Sequence, residues 1–279
     1  DMNHYDQVIA DAVQTVVRKQ TDVGVDVVSD GEQSKISYAT YIKHRLNGFD
    51  GDSPRRTPKD LEEYPAFSKR ASSSGGVPTY SRPQCVGPIS VKDLKPLEVD
   101  LQNFKDALSV SEATDAFMNA ASPGVIAQFQ PNQHYPDHSS YLYALADAMK
   151  VEYEGIAEAG LVIQIDSPDL ALGRHVLFKD QSDEEFVAMA ELHIEALNHA
   201  LQNIPAEQLR LHVCWGNYQG PHHCDIEMKK ILPAVLKAKP MALSFEGANP
   251  RHSHEWTVFR DAKIPENKVL IPGVLDSTT

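Results

Sequence analysis

The sequence predicts an α/β fold, a (β/α)8 TIM barrel that lacks its first and last strands. From about residue 104, helical and strand-like segments alternate, which is typical of a parallel sheet covered by helices. Each strand-like segment ends in polar residues, as expected where a barrel carries its site. The chain has 279 residues, and one such barrel takes roughly 250. We therefore expect residues 1–279 to form a single barrel domain.

The elements follow one another in a regular order. Residues 4–20 place apolar side chains at helical spacing, and Ser182 with Glu185 fits a capping box at the start of a later helix. Because only about six strands can be counted and the chain starts with a helix, we expect a truncated barrel without a strand at each end. The segments interpreted as strands are 25–32, 124–131, 161–169, 209–217, 241–249 and 268–278.

Residues 50–80 interrupt this order. Their sequence is rich in Pro, Gly, Ser and charge and has no periodicity. We expect a long irregular excursion that is partly ordered at best, of the kind that is functional or disordered in other proteins.

Composition excludes several classes of function. The net charge is −13, with 26 basic and 39 acidic residues, which disfavours a nucleic-acid partner. No apolar run approaches the ~18–20 residues of a membrane helix, and the first residues lack the pattern of a secretory signal. The three cysteines are an odd and scattered set, so we expect no disulfide framework and a cytoplasmic location.

The polar residues at the predicted strand ends point to one place. In an open doubly wound sheet only the ends near the switch point would meet, whereas a barrel gathers all of them. We favour the barrel for this reason. The residues concerned are Asp30, Glu32, Gln128, Gln130, Asp166, His212, Cys214, Glu246 and Asp276.

His212 and Cys214 are the most informative pair. Positions i and i+2 of a strand face the same side, so both side chains would point together at a strand end. They could be zinc ligands, a catalytic couple or simple filling of the barrel mouth. Glu246, at the end of the next strand, could supply a third ligand, because zinc accepts sulfur, imidazole nitrogen and carboxylate oxygen.

A rival cluster follows in "PHHCD", with His222, His223 and Cys224. These residues could complete a closed structural zinc site with His212 and Cys214, or they could be solvated loop residues.

Other polar residues near the strand ends allow two interpretations each. Asp166 precedes Pro168 and would bind a cation, a donor or a substrate amine, or else cap the following turn. Glu32 could bind an amine together with Asp30 or belong to a plain turn. Arg251 could hold an anionic substrate group.

His252 and His254 follow Arg251 in the same segment. We expect both of these histidines to lie at a solvated helix start.

The ordered set of motifs resembles the cobalamin-independent methionine synthase family, most closely its shorter, single-barrel branch. That branch includes epoxyalkane:coenzyme M transferase. The resemblance extends from about residue 20 to the end of the chain, and the ordered set is more specific than any one motif. The motifs are "DVVSDGEQ", "IQIDSPDLAL", "HVCWGN", "LSFEGANPRH" and "IPGVLDSTT".

The resemblance implies a (β/α)8 barrel with a catalytic zinc that binds a thiol substrate. His212, Cys214 and Glu246 match zinc-ligand positions, and Glu32 and Asp166 match the carboxylates that hold the substrate amine. The remaining ligand of the family is a cysteine on the last strand, beyond Thr279.

Two departures from the family pattern concern the methyl donor. Methionine synthase has Asp-x-His where this chain has Asp276, Ser277 and Thr278, and its "IDEP" is "IDSP" here. The large folate-binding N-terminal half of the long enzymes is absent too. We take Glu246 and Asp276 as candidate catalytic residues.

The sequence thus predicts a zinc-dependent transferase that activates a small thiol for methyl or alkyl transfer, as in methionine biosynthesis. The expected cofactor is Zn2+, and the expected partners are the thiol and a methyl or alkyl donor. We expect no nucleic acid and no membrane, and a homo-oligomer is compatible with the sequence. A zinc-dependent enzyme that forms or cleaves C–S bonds, of the epoxyalkane:coenzyme M transferase type, is the alternative. A non-catalytic metal-binding barrel is the alternative of another class.

Overall fold

A computed structural model describes residues 2–54, 56–74, 82–218 and 220–276. Six parallel strands form one sheet in the order β1-β4-β5-β6-β7-β8, and β2 pairs with β3 as a separate antiparallel hairpin. The strands are β1 (Val27–Ser29), β2 (Leu46–Asp50), β3 (Gln84–Val91), β4 (Asp115–Ala121), β5 (Val162–Asp166), β6 (Leu209–Val213), β7 (Ala242–Glu246) and β8 (Val269–Gly273). The helices are α1 (Met2–Asp22), α2 (Lys59–Glu62), α3 (Pro65–Ser74), α4 (Lys95–Ser109), α5 (Pro123–Phe129), α6 (His138–Glu158), α7 (Gly173–Val176), α8 (Asp183–Ala200), α9 (Met228–Val235) and α10 (Trp256–Asp261).

The strand order decides between the two α/β architectures. Apart from the hairpin, every strand pairs with the strand that precedes it in the chain, so the order never reverses. A doubly wound sheet reverses its order at a switch point, whereas a (β/α) barrel does not. The α/β prediction is confirmed, and the parallel sheet has six strands, although one of them is not the segment expected. Within the described residues, β1 and β8 form the two edges, so the sheet is part of a barrel.

The two faces of the sheet differ in polarity. On β6, Leu209, Leu211 and Val213 are buried, while Arg210 and His212 between them are partly exposed. The strands therefore alternate between buried apolar residues and partly exposed polar ones. Alternation arises because helices cover only one face, while the other face is polar and open. The core lies between the covered face and the helices.

The segment 124–131 is not a strand. It forms α5, whose first residue is Pro123 and whose N-cap Ser122 accepts a hydrogen bond from the Val125 N–H at 2.9 Å. The strand is instead the preceding β4, whose sequence "DAFMNAA" is too poor in large apolar residues to stand out. Gln128 and Gln130 are therefore buried near the end of α5 and do not end a strand.

Residues 50–80 are more ordered than expected. They contain α2 and α3, and they separate β2 from β3, which pair across this long insertion. Residue 55 and residues 75–81 lie outside the described residues. The hairpin was missed because its two strands are too far apart in sequence for a turn signal to connect them.

A buried ion-pair network attaches this hairpin to the helices. The Arg45 guanidinium contacts the carboxylate of Asp100 on α4 and lies 2.8 Å from Glu152 on α6. The Tyr41 hydroxyl also donates to Glu152. Arg45 is 5 % exposed, so removal of its charge would leave two buried carboxylates without a cation.

The helices bear on two further expectations, one about a capping box and one about membrane-spanning segments. Ser182 and Glu185 form the predicted capping box at the start of α8. Among the described helices, none combines the length and the apolar character needed to span a bilayer.

Candidate active site

Asp166 and His212 form the first part of the site, on neighbouring strands. They are direct register partners at the carboxyl ends of β5 and β6, and His212 Nδ1 lies 2.9 Å from Asp166 Oδ1. Asn119 and Gln164 also donate to this carboxylate, at 2.8 and 2.9 Å. Burial alone would raise the pKa of Asp166, but these hydrogen bonds hold it below its ordinary value. The ionised carboxylate fixes the His212 ring through Nδ1, and among the described residues Nε2 has no hydrogen-bond partner.

Cys214 and Glu246 form the second part, across β6 and β7. Cys214 Sγ donates to Glu246 Oε1 over 3.5 Å, and the Trp215 N–H donates to the same oxygen at 3.2 Å. The Asn249 amide holds the other oxygen of Glu246. Burial and the neighbouring Glu246 carboxylate raise the pKa of the Cys214 thiol to about 12. The loop backbone therefore presents a thiol and a carboxylate as a fixed pair.

Glu32 extends the site on the side of β1. It has a φ of 53°, which a non-glycine residue rarely adopts, and its N–H donates to Asp30 Oδ1 at 3.1 Å. Burial raises the pKa of Glu32, with Lys35 opposing this and Asp166 adding to it. Within the described residues, Glu32 Oε1 is buried without a hydrogen bond, and the Lys35 ammonium lies 3.8 Å away. This oxygen is free to accept from a ligand.

Arg251 lies in the loop that follows β7. Its N–H donates to Asn249 Oδ1 at 3.0 Å, so the residue that holds Glu246 also positions Arg251. Within the described residues, Nε and one terminal nitrogen of Arg251 are buried without hydrogen-bond acceptors. A buried guanidinium with unfilled donors is suited to an anion.

The structure brings some predicted residues together and leaves others apart. Asp276 lies beyond β8 with a partly exposed side chain, and its catalytic role stays a prediction.

In the described ranges, the donor atoms of His212, Cys214 and Glu246 do not all lie within 4.8 Å of one another, although those of Glu63, His223 and Cys224 do. The geometry provides two adjacent pairs, His212 with Asp166 and Cys214 with Glu246.

The atoms of these two pairs are of the types that bind zinc, and one distance between them matches a zinc site. A tetrahedral zinc with sulfur at ~2.3 Å and oxygen at ~2.0–2.2 Å holds these two atoms about 3.5 Å apart. Cys214 Sγ and Glu246 Oε1 are separated by 3.5 Å. A carboxylate on the far nitrogen of an imidazole, as Asp166 is on His212, is the usual support of a metal-binding histidine.

Sequence reasoning missed a buried network behind Cys214. The Trp215 ring stacks on His252 at a centroid distance of 4.1 Å, and His252 lies 2.9 Å from both Asp225 and Glu255. His252 is 5 % exposed, so the expectation of a solvated helix start is wrong for it. The three-residue spacing of His252 and Glu255 could have indicated their contact. Asp225 comes from a different loop, so no local pattern connects it to His252.

Comparisons with known proteins show similarity to methionine synthases. No family model matches the chain. Over 238 residues the chain is 28 % identical to a methionine synthase of Saccharolobus solfataricus, which covers 84 % of this chain and 61 % of that protein. Over 209 residues it is 29 % identical to a methionine synthase of Sulfurisphaera tokodaii, covering 75 % and 52 %. The chain is thus similar to methionine synthases over most of its length.

A solved structure supports the same relationship at the level of the fold. The B12-independent methionine synthase from Shewanella sp. W3-18-1, in complex with selenomethionine, superposes with a TM-score of 0.71. The match covers 97 % of this chain and 71 % of that one, at 21 % identity. The resemblance to cobalamin-independent methionine synthases is thereby confirmed. The chain spans about three fifths of the length of the curated methionine synthase first described above, 61 %.

Proposed function

We propose that this chain transfers a methyl or alkyl group to the sulfur of a small thiol, with zinc held by His212, Cys214 and Glu246. The observation that carries the proposal is the 3.5 Å pair of Cys214 Sγ and Glu246 Oε1 beside a histidine supported by Asp166. The relatives named methionine synthase support the methyl-transfer chemistry. The choice of zinc is supported by the ligand types, since zinc accepts thiolate sulfur, imidazole nitrogen and carboxylate oxygen.

Bound zinc would supply a Lewis acid that lowers the pKa of the substrate thiol, so that a thiolate is present at neutral pH. The thiolate sulfur attacks the methyl or alkyl carbon, a C–S bond forms, and the bond from that carbon to its leaving group breaks. The chain positions the reactants. Asp166 fixes the His212 ring, while Asn249 and the Trp215 N–H hold Glu246.

Glu32 and Asp166 would bind an amine on the thiol substrate. Asp166 Oδ1 already accepts from His212 and Gln164, while Oδ2 accepts from Asn119 and keeps one lone pair. Glu32 Oε1 has no hydrogen bond within the described residues. An ammonium group between these two carboxylates would use both acceptors.

Arg251 would bind the anionic group of the same substrate. Its buried nitrogens without acceptors lie in the loop that also carries Asn249. A thiol with both an amine and a carboxylate, such as homocysteine, would satisfy Glu32, Asp166 and Arg251 together. A sulfonate thiol without an amine would satisfy Arg251 alone, so the free carboxylate acceptors favour the amino-acid thiol over the coenzyme M type.

The experiment compares two thiols under the same conditions. Homocysteine and 2-mercaptoethanesulfonate are each incubated with the zinc-loaded chain and a set of methyl and epoxide donors, and the S-alkylated products are detected by mass. We expect product from homocysteine, a strong rise of its KM in Glu32→Gln, and no change in Glu158→Gln, an exposed carboxylate. Product from the sulfonate thiol alone would establish the alternative transferase. No product from either thiol, with zinc bound, would favour a non-catalytic barrel.

A further inference from the structure

We propose a second divalent-cation site, of the zinc class, formed by Glu63, His223 and Cys224. Each residue offers one donor atom, and these atoms all lie within 4.8 Å of one another. His223 Nε2 and Glu63 Oε2 are 2.9 Å apart. The site is separate from His212, Cys214 and Glu246 and does not depend on the proposed function.

The three residues come from two segments that are far apart in the chain. Glu63 follows α2 in the long insertion between β2 and β3, and His223 and Cys224 lie in the loop after β6. Glu63 and His223 are exposed, and Cys224 is partly exposed. A cation from solvent can therefore reach all three donors without a change in the fold.

A buried contact beside the cluster fixes the two segments to each other. Asp60, on α2, is fully buried and accepts from the Tyr218 hydroxyl at 2.7 Å and from the His222 N–H at 2.9 Å. His222 immediately precedes His223 and Cys224 in the chain, and Asp60 lies one helical turn before Glu63. The donors are thus held together by contacts in which they take no part.

The conformation of His222 is fixed as well. Its φ of 55° is in the left-handed region, and its ring lies 2.9 Å from Asp225 Oδ2 and 3.0 Å from the Tyr218 carbonyl oxygen. Its ring also stacks on Tyr218 at a centroid distance of 4.2 Å. Because the backbone before His223 is so constrained, little further ordering would be needed when a cation binds.

The donor types select the class of cation. One sulfur, one imidazole nitrogen and one carboxylate oxygen suit Zn2+ and Co2+, whereas Mg2+ and Ca2+ prefer oxygen ligands only. Three protein ligands leave one tetrahedral position for water or an external ligand. The bound cation would connect the insertion to the loop after β6, and we expect it to stabilise this contact.

Co2+ titration tests the site, since thiolate ligation to Co2+ gives an absorption that can be followed directly. In the Cys214→Ser variant, which removes the sulfur of the first site, we expect about one equivalent of Co2+ to bind with thiolate absorption. The double variant Cys214→Ser/Cys224→Ser should lose this absorption. Retention of the absorption in the double variant, or its absence from Cys214→Ser, would overturn the proposal.

Glu63→Gln provides a second variant with a matched control. We expect it to weaken Co2+ binding in the Cys214→Ser background, because an amide oxygen is a poorer ligand than a carboxylate. Glu62→Gln changes the adjacent exposed carboxylate, which pairs with Lys179 and is not part of the cluster, and should leave the affinity unchanged. Equal affinities in the two variants would contradict the assignment of Glu63. The Cys214→Ser background removes a ligand of the first proposed site only, so Co2+ binding in these variants reports on the second site.

Discussion

Cys214 Sγ lies 3.5 Å from Glu246 Oε1, although the two residues belong to different strands. Cys214 directly follows β6, and Glu246 ends β7, so the parallel register of the sheet brings them together. The Trp215 N–H and the Asn249 amide then hold the carboxylate on its two oxygens. A fixed sulfur–oxygen pair at this distance is what a tetrahedral zinc needs from two of its ligands.

The Asp166 carboxylate should tune zinc binding without touching the metal. We expect Asp166→Asn to weaken zinc affinity about 10–100-fold, because the amide no longer fixes His212 as a charged acceptor does. Competition against a chromophoric chelator measures the affinity, and Glu158→Gln is the control for loss of one carboxylate. An affinity equal to that of the unchanged chain would show that His212 is not a ligand, or that Asp166 does not orient it.

Gly124 permits the close approach of α5 to Asp169. A Cβ at this position would overlap the Asp169 carboxylate, which is held by the Ser122 hydroxyl at 2.7 Å and by His193 at 2.8 Å. We expect Gly124→Ala to lower the free energy of unfolding by about 1–3 kcal/mol, measured by urea denaturation. Gly87→Ala is the control, since its nearest neighbour would lie 3.8 Å from the added Cβ. Equal stability of both variants would be inconsistent with this packing.

Arg45 should contribute strongly to stability through the network described above. We expect Arg45→Met to destabilise the fold by about 3–5 kcal/mol, because Asp100 and Glu152 would remain buried without their cation. Arg260→Met removes an exposed pair with Asp261 and should cost less than about 1 kcal/mol. Thermal and urea unfolding of the two variants give the comparison. A small effect of Arg45→Met would mean that water reaches the two carboxylates.

His252 should make stability depend on pH above neutrality. Burial alone would lower its pKa, but hydrogen bonds to Asp225 and Glu255 raise it to about 9. The stabilisation is therefore complete below the unfolded value of about 6.5 and is lost as the pH rises through about 9. Its size is on the order of 1–3 kcal/mol.

The measurement is urea unfolding of the chain and of His252→Gln between these pH values. We expect the difference in stability between them to shrink steadily as the pH rises, because glutamine carries no charge at any pH. A difference that stays constant would show that His252 is neutral in the folded state.

Much of the fold could be predicted because it depends on local signals. The order of β5, β6 and β7 follows from apolar runs with polar ends, and the capping box at Ser182 is purely local. β4 gives a weak strand signal because its alanines and Asn119 make it weakly apolar, and α5 resembles a strand in sequence because Val125 and Ile126 are β-branched.

The candidate site could be predicted less completely. Cys214, His212 and Glu246 were found from strand ends and from family resemblance, and the structure shows which partner each one has. The contacts of Asp60 with Tyr218 and His222 join segments far apart in sequence, and no local pattern reports such pairs. The sequence "PHHCD" indicated two of the three donors in the second proposed site, His223 and Cys224, but nothing in the sequence indicated Glu63.

The zinc content of the chain decides whether His212, Cys214 and Glu246 hold a catalytic zinc. It should be measured by elemental analysis in a Cys224→Ser background, so that the second proposed site does not contribute. We expect about one zinc per chain, lost on adding either His212→Ala or Cys214→Ser while the chain stays folded. Folded variants with unchanged zinc, or a chain without zinc from the start, would contradict it.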